Sequence, residues 1–318
     1  KKGRSESGTP VKMTVAIQLK HLIDIKSLST QEIEAIAERA LEIKNGANPL
    51  FLKDSHVALM FFENSTRTKF SFEMALNKLG ASVYNFETSK SSLSKGEDFF
   101  DTLNNLAAIG FDACIIRTSE EGLIKRTLGE TAKGRKLFKE IALINAGEGA
   151  SAHPTQALLD FVTIKEYFKD LNGLNLVIVG DIRHSRVAKS NIELLNRFGV
   201  KIKCTAPEYF KDESIENIEW CDNLPDALKD ADIVMTLRIQ KERIEGIVEF
   251  EDYVKNFQIN ENNLPERCIL MHPGPVNRDV EVTSSLLDKR GEIILTQAHN
   301  GVFTRMAILE AVLGGNNV

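Results

Sequence analysis

The sequence has no CxxC pair, no GxGxxG run and no GxxxxGK[ST] loop, and no apolar run approaches the ~20 residues that a membrane span needs. Each absence removes a class. Cys114, Cys204, Cys221 and Cys268 are scattered. That argues against a structural zinc site or a disulfide framework and fits reduced thiols in a cytoplasmic protein. Cys114, Cys204 and Cys268 lie in apolar, strand-like runs and read as small core residues. Where a dinucleotide fingerprint would stand, IVGDIRHSRVAKSN offers Gly180 alone. GETAKGRK, residues 129–136, has the wrong ending for a phosphate loop and follows no strand. A net charge of −5 speaks against non-specific nucleic-acid binding. No secretory apolar region precedes the first domain. The opening KKGRSESGTPVK has no apolar period, so residues 1–12 read as a disordered leader or a remnant of expression.

What is present is an alternation of short apolar runs and amphipathic segments. Apolar content of 42% and charged content of 27% are those of a globular chain, and 318 residues suffice for two α/β domains. Ser29-Thr30-Gln31-Glu32 has capping-box spacing ahead of Ile33, Ile36, Ala37 and Ala40. Strands are expected at 57–62, 82–86, 112–117 and 141–147, with helices after the first and at 98–110. The pattern restarts near residue 174, with LNLVIVGD, VKIKCTAP, DIVMT and RCILM as strands. This predicts two doubly wound parallel-sheet domains joined by helices, with the site in the cleft between them. The helix at 155–168 reads as the linker. The tail helix GVFTRMAILEAVLG follows the completed second sheet and is free to pack back on the first unit. The domains are therefore taken as 13–152 plus 300–318, and 153–299.

FFENSTRTKFSFEMALNKLG, residues 61–80, carries the chemistry of the first unit. An apolar strand ends, and Ser65, Thr66, Arg67 and Thr68 stand where a helix begins. The first N–H groups of a helix lack partners and carry partial positive charge. With hydroxyl donors and a guanidinium fork they form an anion pocket. The competing reading is an ordinary N-cap beside a solvated arginine. The other strand ends carry Arg117, His153, Arg186, Arg238 and His272-Pro273-Gly274-Pro275. Any one arginine there is more often a surface ion pair. The set points to a small polyanionic substrate. His153 precedes Pro154 at a first helical turn, where a ring N–H can reach a substrate oxygen, and Gln156 lies near the same edge.

S-T-R-T at 65–68, H-P-T-Q at 153–156 and H-P-G-P at 272–275, in that order, resemble the aspartate/ornithine carbamoyltransferase family. The resemblance covers nearly the whole chain after about residue 18. The ornithine branch carries an S-M-G-type loop and an H-C-L-P segment. Here the matching regions read LRIQKER and MHPGP, which resemble the aspartate branch. The resemblance implies that the first domain binds carbamoyl phosphate and the second binds L-aspartate. Ser65, Thr66, Arg67 and Thr68 would hold the phosphate end. Thr68, Arg117 and His153 would surround the carbonyl oxygen, and Gln156, Gly274 and Pro275 the amide. Arg186, Arg238 and Gln240 would hold aspartate, and Glu63 would bridge to Arg186 and Arg243.

The serine-rich loop 87–97 reads by composition as a surface linker. In the family such a loop crosses a subunit boundary. The resemblance makes Lys95, with Ser92 or Ser91, a contribution to the neighbour's site in a homotrimer with shared active sites. It implies no metal and no cofactor and leaves open a separate regulatory chain. Transfer to ornithine or an acylated ornithine, and a non-catalytic amino-acid-binding homologue, are the alternatives.

Overall fold

The computed structural model describes residues 17–87, 98–239 and 250–317. The loop residues Ser91, Ser92 and Lys95, together with Gln240, Arg243 and the leader at 1–12, lie outside the described residues. The first unit runs α1 (Thr30–Lys44), β1 (His56–Phe61), α2 (Thr66–Leu79), β2 (Ser82–Asn85), α3 (Phe99–Ile109), β3 (Ala113–Thr118), α4 (Leu123–Ala132) and β4 (Ala142–Glu148). Its four strands are parallel, in the order β2-β1-β3-β4. The central four residues of β1 are buried, as befits a strand covered by helices on both faces.

After α5 (Pro154–Tyr167) the second unit runs β5 (Asn175–Val179), α6 (Arg186–Asn196), β6 (Lys201–Thr205), β7 (Glu219–Trp220), α7 (Leu224–Leu228), β8 (Ile233–Thr236), α8 (Phe250–Phe257), β9 (Ile269–Met271) and α9 (Ser284–Arg290). Its sheet is also parallel, in the order β7-β6-β5-β8-β9. The chain ends in the 22-residue α10 (Glu292–Leu313) and a short 3-10 turn. All four cysteines are free and buried, as the apolar context of three of them suggested. No helix among the described residues is long and apolar enough to cross a membrane.

Both sheets change winding direction once. In the first, the chain leaves β1 toward β2 and returns to place β3 on its other side. In the second, it leaves β5 toward β6 and β7 and returns with β8. Crevices at such points, outside the carboxyl ends of the strands, are where open α/β sheets bind ligands. Arg67 and Arg117 follow or end β1 and β3, whereas Arg186 and Arg238 follow β5 and β8.

Two helices hold the units together. Every residue of α5 from Pro154 to Ile164 is buried, so this helix is a core element rather than an exposed connector. α10 starts nine residues before the 301 expected from sequence, because Glu292–Asn300 continue the helix under β9. It packs on α1, α2 and α5. Glu310 receives Arg39 Nε at 2.6 Å and the Leu50 N–H at 2.7 Å. One apolar cluster joins Leu59 and Ile144 of the first sheet, Leu158 and Phe161 of α5, Leu309 of α10, and Ile178 and Met235 of the second sheet. The capping box is formed: Ser29 Oγ accepts from the Glu32 N–H at 3.2 Å, and the Glu32 carboxylate accepts from the Ser29 N–H at 2.7 Å.

Leu309→Ala is therefore expected to cost about 2–5 kcal/mol, since Leu309 is fully buried in this cluster. Urea unfolding followed by circular dichroism measures it, and an unchanged midpoint would remove α10 from the shared core.

Candidate active site

The two crevices open into one cavity of about 1040 Å³. Ser65, Thr66, Arg67, Thr68, Arg117, His153, Gln156, Arg186, Arg238, Gly274 and Pro275 all line it. These are the site residues singled out from sequence that fall within the described residues.

The helix-start question has a local answer. Ser65 is the N-cap residue of α2 in extended conformation, and its side chain makes no cap hydrogen bond. No acidic residue occupies the first turn. The hydroxyl that an ordinary cap would use is left for another acceptor or donor, and the helix end keeps its positive potential. His153 stands at the matching position of α5, with Pro154 as first helical residue. Its backbone N–H donates to Ser190 Oγ at 2.9 Å, which anchors α5 to α6.

Like charge dominates the cavity. Five arginines line it (Arg67, Arg117, Arg186, Arg238 and Arg305), against two carboxylates, Glu63 and Asp181, among the described residues. Asp181 is engaged by His184 Nδ1 at 2.9 Å. Burial, then the Arg238 charge, lowers the pKa of Arg67. Burial and Arg186 bring Arg117 down to about 10 against the pull of Glu63. Burial brings Arg305 down to about 9, Asp160 opposing it. All remain cations at neutral pH, but in mutual repulsion that an anionic ligand would relieve. The same field acts on His153. Burial, then Arg117, Arg186 and Arg305, holds its imidazole well below the ordinary value, so the ring is neutral.

Glu63 is the one carboxylate set among these arginines. Its Oε2 accepts from Nη1 and Nη2 of Arg186, both at 3.0 Å, and lies 3.5 Å from Arg117 Nε. It thus links the end of β1 to the start of α6 across the cleft, as expected of its pair with Arg186. Arg186 also donates to the Gly149 carbonyl at 2.9 Å, which fixes its fork beside the turn after β4. Gly147 sits under both guanidiniums with φ +126°, and a Cβ there would come within 2.8 Å of Arg117 Nη1.

The H-P-G-P loop is held from behind. The His272 N–H donates to Gln297 Oε1 at 3.0 Å, and the Gly274 N–H donates to His272 Nδ1 at 2.7 Å. With Nδ1 accepting, the ring proton sits on Nε2, which faces buried Glu281 at 3.6 Å. Glu281 also accepts from the Ile239 N–H at 2.7 Å, next to Arg238. One buried carboxylate thereby ties the Arg238 strand end to the loop opposite it. Gly274, with φ +70°, lets the loop pass against Arg67; a Cβ would overlap that guanidinium.

Sequence reading missed Arg305, Gln297 and Asp160. Arg305 is fully buried on α10, donates to Ser71 Oγ at 2.9 Å and Thr155 Oγ1 at 3.2 Å, and stacks on Phe72 at 4.9 Å. The available signal was a lone cation inside the apolar run GVFTRMAIL. Asp160, inside ALLDFV, gave the same kind of signal.

The arrangement has known counterparts. The carbamoyl-P binding domain of aspartate/ornithine carbamoyltransferase matches residues 20–166, and the Asp/Orn binding domain matches residues 172–312. The aspartate carbamoyltransferase catalytic subunit of Listeria monocytogenes serotype 4b is 43% identical over 300 residues, covering 93% of this chain and 96% of that protein. That of Fusobacterium nucleatum is 42% identical over 308 residues, covering 94% and 97%. Among solved structures, the catalytic subunit of M. jannaschii aspartate transcarbamoylase superposes with TM-score 0.81 at 31% identity, covering 94% of this chain and 99% of that one. Aspartate transcarbamoylase from Trypanosoma cruzi in complex with carbamoyl phosphate and aspartate gives TM-score 0.81 at 28% identity, covering 94% and 98%. Two domain matches in series, the similarity of these relatives over nearly their whole length, and a shared two-sheet fold show that the chain belongs to the aspartate/ornithine carbamoyltransferase family.

Proposed function

We propose that this chain transfers the carbamoyl group of carbamoyl phosphate to the α-amine of L-aspartate, giving N-carbamoyl-L-aspartate and phosphate, an early step of pyrimidine synthesis. The observation that carries this reading is the arginine-lined cavity at the junction of the two switch points, with a neutral imidazole inside it. The catalytic-subunit names of the relatives and the ligands of the T. cruzi structure support the same substrates.

In this reading the α2 N-terminus, Ser65, Thr66 and Arg67 take the phosphate. Thr68, Arg117 and His153 meet the carbonyl oxygen. Arg117 Nε and His153 Nδ1 are buried with no hydrogen-bond partner among the described residues, which suits both to an incoming oxygen. Arg186 and Arg238 receive the two carboxylates of aspartate, with Gln240 beside them. The amine nitrogen bonds to the carbonyl carbon, and the oxygen becomes an oxyanion faced by those donors. The C–O bond to phosphate then breaks, and the departing phosphate takes the amine's proton. Removing one fixed donor from such an oxyanion typically costs about 10²–10³ in kcat. Gln156, Gly274 and Pro275 hold the carbamoyl amide. Closure of the two units on their ligands would exclude water, with the Glu63–Arg186 pair holding the closed form.

The proposed assembly is a cytoplasmic homotrimer in which Lys95 and Ser92 enter the neighbouring subunit's site. The 87–97 loop is polar and serine-rich, and Lys95 supplies a point charge for phosphate or carboxylate. The domain division at 13–152 plus 300–318 and 153–299 follows the two ligands, although its last boundary cuts α10 near its middle.

Colorimetric assay of ureido product tests the activity, with carbamoyl phosphate and either aspartate or ornithine. Product is expected with aspartate only. Arg238→Ala should raise the aspartate KM by an amount worth about 2–5 kcal/mol of binding and leave the carbamoyl phosphate KM nearly unchanged. Product with ornithine alone would overturn the aspartate assignment, and unaltered aspartate kinetics would remove Arg238 from the site.

Shared sites make a sharper demand. Lys95→Ala and His153→Ala chains should each be nearly inactive. Randomly mixed trimers of equal amounts should recover about a quarter of wild-type activity per site, since each partner is intact about half the time. No recovery after verified subunit exchange would mean that Lys95 serves its own chain.

His153 is expected to act as a neutral donor. Its folded pKa is depressed, so the ring stays uncharged as pH falls through the ordinary 6.5. Long-range ¹⁵N–¹H spectra at pH 6 should give the neutral tautomer pattern for this residue. An imidazolium pattern there would contradict the donor assignment.

A further inference from the structure

Asp160 is buried completely on α5, one turn from Gln156, and it touches no ligand position assigned above. Its Oδ1 accepts from Gln156 Nε2 at 3.0 Å and from Gln297 Nε2 at 2.7 Å, and its Oδ2 accepts from Asn191 Nδ2 at 2.8 Å. A carboxylate has no proton to give, so each of these amides is forced to turn its NH2 inward. For Gln297 the outward end is visible: its oxygen accepts from the His272 N–H at 3.0 Å. For Gln156 the outward end faces the cavity that the residue lines. An apolar side chain at position 160 would leave three buried amide donors without an acceptor, so the carboxylate is matched to these amides.

We propose that Asp160 is a positioning residue that turns the Gln156 amide so that its oxygen, rather than its NH2, meets the substrate, and thereby selects a carbamoyl group over an acyl group of the same shape. The inference rests on the carbamoyl phosphate reading above. Carbamoyl phosphate presents an NH2 where acetyl phosphate presents a methyl. An outward oxygen receives the first and gains nothing from the second. An outward NH2 would face the substrate's own NH2, donor against donor. A site built to bond one polar group discriminates strongly against analogues that lack it.

Protonation offers a second handle. Burial pushes the Asp160 carboxyl up to about 6, while the hydrogen bonds from Asn191, Gln297 and Gln156 and the Arg305 charge hold it ionised above that. Among the described residues, the groups facing it are amides from α5, α6 and α10 and, as the one charge, Arg305 of α10. Below the transition the carboxyl gains an O–H that can hold the Gln156 oxygen inward.

The test compares the KM for carbamoyl phosphate with the inhibition constant of acetyl phosphate as its competitor. In Asp160→Asn the new NH2 opposes the inward NH2 groups and lets Gln156 turn. The carbamoyl phosphate KM should rise about 10–100-fold while the acetyl phosphate constant stays within about twofold. Parallel changes in both, or no change in either, overturn the inference, because a merely structural carboxylate would affect both ligands alike. Should the variant not fold, the wild-type protein decides. Its ratio of KM to inhibition constant should rise as pH falls from 8 to 5.5, and a flat ratio overturns the inference. A wild type that forms no ureido product overturns the functional reading itself. An active wild type with parallel changes overturns this inference alone.

Discussion

Five guanidiniums converge on one cavity, and their repulsion is the condition that everything around them accommodates. Water would screen it, but several of these groups have been taken out of water: Arg117 and Arg305 are held near 10 and 9 mainly by burial. Three of the arginines are fixed by contacts that do not cancel the field. Arg117 donates to the Ala146 carbonyl at 3.1 Å, Arg305 to serine and threonine hydroxyls, and Arg186 to the Gly149 carbonyl. Glu63 neutralises part of it, and it does so across the cleft. Such a cavity is set to bind anions, and the field is strongest before they arrive.

The secondary structure turns this condition into geometry. Parallel strands end in the same direction, so residues just beyond β1, β3, β5 and β8 gather without long excursions of chain. Behind them the polar groups are settled in pairs that face away from ligand. The Gly274 N–H fixes the His272 tautomer, Glu281 fixes the Ile239 backbone, and Gln297 holds the His272 N–H at the start of the same loop. The rigid part of the site is thus built from buried amides, one imidazole and two carboxylates, none of which carries the positive potential.

Much of this was legible in the sequence, and the reason differs by element. Continuous apolar runs such as VALMFF read as buried strands, and their alternation with amphipathic runs gave two parallel sheets. Arg67, Arg117, Arg186 and Arg238 stood at strand ends, where the fold class places ligands. α4, α8 and α9 were not read, being short helices of 10, 8 and 7 residues. The start of α10 was misplaced because Glu292–Asn300 mixes polar and apolar residues without a clear stripe. Arg305 and Asp160 sit in apolar helical segments whose pattern announces only burial. Gln297, which bonds Asp160, and Ser71 and Thr155, which bond Arg305, come from positions more than a hundred residues away, and periodicity carries no information at that range.

α10 also sets an order of events during synthesis. The first unit's strands and α1 to α5 are complete by Tyr167, yet Leu309 and Leu313, which close their core, come only with the second half of α10. Elongation at about 5–20 residues per second puts on the order of ten seconds between these two points. Through that interval α1 and α2 expose the apolar surface that α10 will cover. The nascent chain therefore cannot bank a finished N-terminal domain and move on. Its two halves are committed together, once α10 has been made.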